Sequence, residues 1–111
     1  MSFRRAARID ANQNEIVDLY RSLGALVVIT SQLKKFADIV ICYESRWYVI
    51  EIKDGSKFPK KFAKMSLIEK EVYAVTKLTP DEKDFYQRCQ SLKAPYYIVW
   101  DKESALRVIG L

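Results

Sequence analysis

The chain has 111 residues, 50% of them hydrophobic and 30% charged, with three Gly and three Pro. That is the composition of one globular domain with its own core, not of a disordered or fibrous chain. Nineteen Lys and Arg against 14 Asp and Glu give a net charge of +5, which suits a polyanionic partner. Histidine is absent, which excludes an imidazole base, a Ser-His-Asp arrangement and a histidine-zinc site.

The amino terminus, MSFRRAARIDANQNE, carries arginines with no apolar stretch behind them and does not read as a secretory signal. No apolar run reaches the ~20 residues of a membrane span, so no membrane association is expected. A helix is expected from about Ala11 to Leu23, with Asp10 and Gln13 at capping-box spacing. Its apolar stripe is Ile16, Val17, Tyr20 and Leu23, and Gly24 suits the stop. ALVVIT (25–30) reads as a strand, SQLKK as a polar connector, and FADIVICY (36–43) and RWYVIEIK (46–53) as two strands joined by Glu44-Ser45. The segment 54–77 reads as a lysine-rich loop or insertion. Ser66 with Glu69 can cap a short helix through Ala74, although VYAVT also suits an extended strand. Thr79-Pro80-Asp81-Glu82 places a cap, a first-turn proline and a reciprocal glutamate at the start of a helix with Phe85, Cys89 and Leu92 on one face. PYYIVW (95–100) is a further strand, and Asp101 caps a last helix through Ala105, Leu106 and Ile109. The expected fold is a single α/β domain over 1–111, a mixed sheet flanked by helices. Cys42 and Cys89 form no metal motif and read as free thiols of a reduced cytoplasm, the expected location.

Charge inside the strongest strand raises the chemical question. Side chains alternate along a strand, so Glu51 and Lys53 project from the same face. If Glu44-Ser45 is a tight turn, Tyr43 pairs with Arg46, and counting outward sets Asp38 opposite Glu51 on that face. Directly opposed carboxylates repel. A Mg²⁺ or Mn²⁺ ion would reconcile them, with the Ile52 carbonyl as a further ligand, and Lys53 would then assist a bound water or offset phosphate charge. The alternative is an ordinary salt bridge of Lys53 with Asp38 or Glu51.

FAD (36–38), a hairpin, then EIK (51–53) resembles the PD-(D/E)XK nuclease superfamily. RRAARIDANQNEIV (4–17), EIKDGSK (51–57) and KLTPDE (77–82) look most like small stand-alone phage and prophage nucleases related to VRR-NUC domains and Holliday-junction resolvases. The resemblance implies a restriction-endonuclease-like α-β-β-β-α-β core, here with an extra C-terminal helix. It makes Asp38 and Glu51 metal ligands, Lys53 the catalytic lysine, and Glu15 the acid that completes the site in many members. Gln13 is a further candidate for a substrate contact. The implied activity is Mg²⁺- or Mn²⁺-dependent DNA endonuclease, structure-selective on branched DNA such as four-way junctions. Symmetric cutting of two strands would require a homodimer. Ala37 stands where the family usually has proline, and 54–77 is longer than the family's usual loop.

Three basic groups are candidates for phosphate contact: an arm, 1–9, with Arg4, Arg5 and Arg8; Lys34 and Lys35; and Lys57, Lys60, Lys61 and Lys64, interleaved with Phe58 and Phe62. Two other classes compete with the enzyme. One is a catalytically inactive nuclease-fold protein that binds DNA or a partner, and the other a structural component with salt-bridged charges.

Overall fold

The computed structural model describes residues 11–111. Ile16, Val17 and Tyr20 recur at helical spacing and form the buried stripe of α1 (Gln13–Ser22). The helix begins at Gln13, later than the expected Ala11, and Asn12 at its N-cap position makes no side-chain cap bond. The Asn12 amide is engaged elsewhere: Nδ2 donates to the carbonyls of Lys53 at 3.0 Å and Trp100 at 3.1 Å. It thereby ties the start of the helix to the ends of two strands. Asp10, the expected cap, lies outside the described residues.

The sheet has four strands, β1 (Leu26–Ile29), β2 (Ile39–Tyr43), β3 (Arg46–Ile52) and β4 (Tyr97–Val99), in spatial order β1-β2-β3-β4. The first three are antiparallel, and β4 runs parallel to β3. A parallel partner needs a long crossover, which α2 (Leu67–Thr76) and α3 (Pro80–Leu92) supply; α4 (Lys102–Val108) follows β4. Glu44 and Ser45 both take left-handed φ, 49° and 69°, and make the two-residue hairpin that pairs Tyr43 with Arg46.

Alternation along the strands sends Ile39, Ile41, Tyr48, Ile50, Ile52 and Val99 to one face, against Ile16, Val17 and Tyr20 of α1 and Ala105 and Ile109 around α4. Within this core the Tyr20 hydroxyl donates to the Ala105 carbonyl at 2.7 Å. Phe62, Ala74 and Trp100 form a second cluster, with Phe58, Met65, Tyr73 and Ile98 around it.

Two expectations shift, and the choice left open between helix and strand for VYAVT is settled. Regular pairing of the second strand starts at Ile39 rather than Phe36, whose ring instead meets Phe85 edge-on at 5.4 Å. The segment 54–77 is not a plain loop: two 3-10 turns, Gly55–Lys57 and Lys60–Lys64, lead into a helix over VYAVT rather than a strand. The Ser66/Glu69 capping box and complete burial of Ala74 decide for helix there. Leu92, expected on the buried face of α3, is 78% exposed, so the buried stripe of that helix ends at Cys89.

Gly55 is required by close approach. Its N–H donates to the Trp100 carbonyl at 3.1 Å, and a Cβ added there would lie 2.7 Å from that same oxygen. Gly55→Ala is therefore expected to cost about 1–3 kcal/mol in urea unfolding. Unchanged stability would show that the contact with Trp100 yields freely.

Candidate functional site

The pairs Ile39↔Ile50 and Val40↔Val49, carried one step further, set Asp38 opposite Glu51. Backbone and side chain of Asp38 both continue the ladder past the end of β2. Its N–H donates to the Ile50 carbonyl at 3.1 Å, and its Oδ2 accepts the Ile52 N–H at 2.8 Å. The register expected from the hairpin is the register found, and one residue of slip would have sent Asp38 and Glu51 to opposite faces.

Glu51 is 2% exposed, an uncommon place for a carboxyl group. Burial, then the hydrogen bond and negative charge of Asp38, then Glu82, push its pKa up to about 11. At neutral pH and without a cation, Glu51 therefore carries a proton that it shares with the neighbouring carboxylates. The Tyr96 hydroxyl reaches Glu51 Oε1 at 3.4 Å, and burial together with the charges of Glu51, Glu82 and Asp38 holds that phenol far above its ordinary pKa.

Lys53 points from the same face but pairs with neither expected partner. Its Nζ lies 2.6 Å from Glu82 Oε1 on α3. That same oxygen accepts the Thr79 N–H at 2.9 Å, while the Thr79 hydroxyl accepts the Glu82 N–H. Burial works to raise the Glu82 pKa, but the hydrogen bond from Lys53, the Thr79 N–H and the Lys53 charge outweigh it and hold Glu82 below the usual carboxylate range. One side chain thus caps a helix and fixes the ammonium group of the site. Its capping role was visible as Thr-Pro-Asp-Glu; its reach to Lys53 depends on how α3 docks, which no local pattern encodes.

Glu15 is exposed and lines an open cavity with Asn12, Asp54, Ser56 and Asp101; Asp38, Glu51 and Lys53 are not on its wall. Gln13 is buried, its Nε2 donates to Ser31 Oγ at 3.4 Å, and its Oε1 has no partner among the described residues. Among the described residues, no three acidic or thiol side chains close around one point as a metal group would. Instead Glu82 turns to Lys53, and one oxygen of Asp38 is engaged by the Ile52 N–H.

Lys34, Lys35, Lys57, Lys60, Lys61 and Lys64 are all exposed, the last four on the turns that leave β3 just after Lys53. Phe58 and Phe62 do not reach outward: their rings meet at 4.9 Å, and Phe62 packs edge-on to Trp100 at 5.6 Å. Arg4, Arg5 and Arg8 lie outside the described residues. Cys42 and Cys89 are both free thiols. No helix among the described residues is long and apolar enough to cross a membrane. Comparison of the chain with protein-family models, curated proteins and solved structures finds no match in any of the three.

Proposed function

We propose that this protein is a metal-dependent DNA endonuclease of the PD-(D/E)XK type, with a restriction-endonuclease-like core, acting on branched DNA such as four-way junctions. One observation carries the reading. Two carboxyl groups, Asp38 and Glu51, are forced together at the end of a sheet, with Glu51 2% exposed and an ammonium group on the same face. Such an arrangement destabilises the fold unless a cation or a proton intervenes, and local conflict of this kind is characteristic of functional sites.

The donor set fits a hard divalent cation. Asp38 and Glu51 offer carboxylate oxygens, and strand alternation aims the Ile52 carbonyl past Asp38, toward the side where the Ile50 carbonyl takes the Asp38 N–H. Mg²⁺ or Mn²⁺ held by Asp38, Glu51 and the Ile52 carbonyl would supply the positive charge that phosphodiester hydrolysis needs. Glu15, on the wall of a separate open cavity, is not drawn into this donor set.

The protein's own groups do the rest. Lys53 presents an ammonium group to the scissile phosphate and its attacking water, and Glu82 keeps that group from swinging into solvent. Lys34, Lys35, Lys57, Lys60, Lys61 and Lys64, with Arg4, Arg5 and Arg8 of the arm, neutralise flanking phosphates. Affinity should therefore fall steeply with salt and depend little on sequence. Gln13, buried and hydrogen-bonded to Ser31, is proposed to support the fold near the start of α1 rather than to meet DNA directly.

The test is a panel of four-way junctions, flaps, single strands and linear duplexes, each with and without Mg²⁺ or Mn²⁺. Metal-dependent cleavage of branched substrates is expected, and Asp38→Asn should lower it at least a thousand-fold. Salt-sensitive binding with no cleavage under any metal would instead identify a nuclease-fold binding protein. Cleavage by Asp38→Asn at the native rate would refute the site.

A further inference from the structure

We infer that the free edge of β1 is a homodimer interface, at which two copies pair their β1 strands antiparallel about a two-fold axis through Val28 and join their sheets into one of eight strands. The inference stands on the edge itself and does not require the nuclease reading.

β1 pairs with β2 on one side only and has no strand partner on the other among the described residues. The Thr30 N–H donates to the Asp38 carbonyl across that ladder at 2.8 Å. By alternation Val28 and Leu26 also turn their backbone groups to β2, so those of Val27 and Ile29 point to the open edge. This leaves two donors and two acceptors, spaced two residues apart, a self-complementary set. With Val28 opposite its own copy, Val27 of one protomer exchanges both hydrogen bonds with Ile29 of its partner, and the reverse, giving four bonds with no register slip.

Sequence and surface favour a second copy as the occupant. Residues 25–33, ALVVITSQL, hold no charge in a chain that is 30% charged with a net +5. Exposed edge strands are normally protected by lysine, proline or a bulge; the four residues of β1 carry neither a charge nor a proline. Two highly basic copies can approach closely only where neither presents charge. The side chains there are apolar and exposed: Leu26 59%, Val28 44%, Ile29 47% and Leu33 60%.

A two-fold perpendicular to the joined sheet leaves the Asp38–Glu51 sites of both copies on the same face. Strand spacing and residue rise put them roughly 20–25 Å apart. If the nuclease reading also holds, this is a spacing suited to cutting two strands of one branched substrate.

Sedimentation equilibrium of the full chain should give twice its 13.0 kDa mass at micromolar concentration. Val28→Lys, which puts two ammonium groups on the axis at an exposed position, should yield a folded monomer. Val28→Cys should form an intermolecular disulfide on mild oxidation, because a directly opposed, non-hydrogen-bonded pair has Cα atoms about 4.5 Å apart. Leu26→Cys should not, since its copy lies four residues away along the partner strand, and the native chain with Cys42 and Cys89 is the control. A chain monomeric at 100 µM would overturn the inference, as would a dimer in which Val28→Cys fails to link. Should Val28→Lys not fold, the cysteine pair alone decides.

Discussion

Glu51→Gln is expected to make the metal-free protein more stable at pH 8 while abolishing cleavage. The native carboxyl is 2% exposed against Asp38 and Glu82, with its pKa pushed up to about 11 first by burial and then by those two neighbours. A carboxyl whose folded-state pKa is raised binds a proton on folding once pH exceeds its ordinary value of 4.5. Its contribution to stability is therefore intact below about pH 4.5 and is lost progressively as pH climbs toward 11. By pH 8 the loss amounts to roughly 2–5 kcal/mol. Glutamine is neutral at every pH, and its amide can donate to Asp38 or Glu82 as the protonated carboxyl does. The variant should melt on the order of 10 °C higher than the native chain at pH 8, the two converging near pH 4.5. Mg²⁺ or Mn²⁺ should stabilise the native chain and leave the variant unmoved, since a cation offsets a charge that the variant lacks. The measurement is thermal unfolding of both proteins from pH 4 to 9, with and without metal. A native melting temperature that stays flat from pH 5 to 9 would rule out the buried acid.

Much of this site was legible in the chain because period-two alternation and one turn fix it. Once Tyr43 pairs with Arg46, Asp38 must face Glu51, whatever the rest of the molecule does. The strands, the Thr79 and Asp101 helix starts and the order of elements were likewise local. What local patterns do not carry is docking. Glu82 read as a cap and proved also to be the partner of Lys53. Asn12 stood two residues from the expected helix cap, but its amide spans to Lys53 and Trp100, distant in sequence. Leu92 fits the apolar stripe of its helix and is nonetheless exposed, because helical period says which face is apolar, not how far the neighbouring layer extends. The same limit applied to VYAVT, a β-prone run made helical by its cap and by Ala74 packing with Phe62 and Trp100.

Lys53→Ala should abolish turnover and leave DNA affinity within a few-fold of native, whereas Glu82→Gln should leave both fold and helix cap in place and reduce turnover by an intermediate factor. The two variants separate an ammonium group that meets substrate from a carboxylate that only holds it. Removing Lys53 leaves Glu82 half-buried beside Glu51 with no positive partner, so the variant should lose about 1–3 kcal/mol of stability as well as activity. On the proposed reading the exposed lysines would still neutralise phosphates, so binding should survive. In Glu82→Gln the side-chain oxygen still accepts the Thr79 N–H, because glutamine serves at the third position of a capping box as glutamate does. Only the negative charge that holds Lys53 is lost, and the ammonium group is freed to sample solvent. Turnover should fall about 10- to 100-fold by misplacement alone, with binding unchanged. If Glu82 acts through Lys53, the double variant Lys53→Ala/Glu82→Gln should be no slower than Lys53→Ala, since the second change has nothing left to misplace. Additive losses would show that Glu82 contributes to the chemistry by a separate route, and native turnover in Lys53→Ala would remove the lysine from the mechanism altogether.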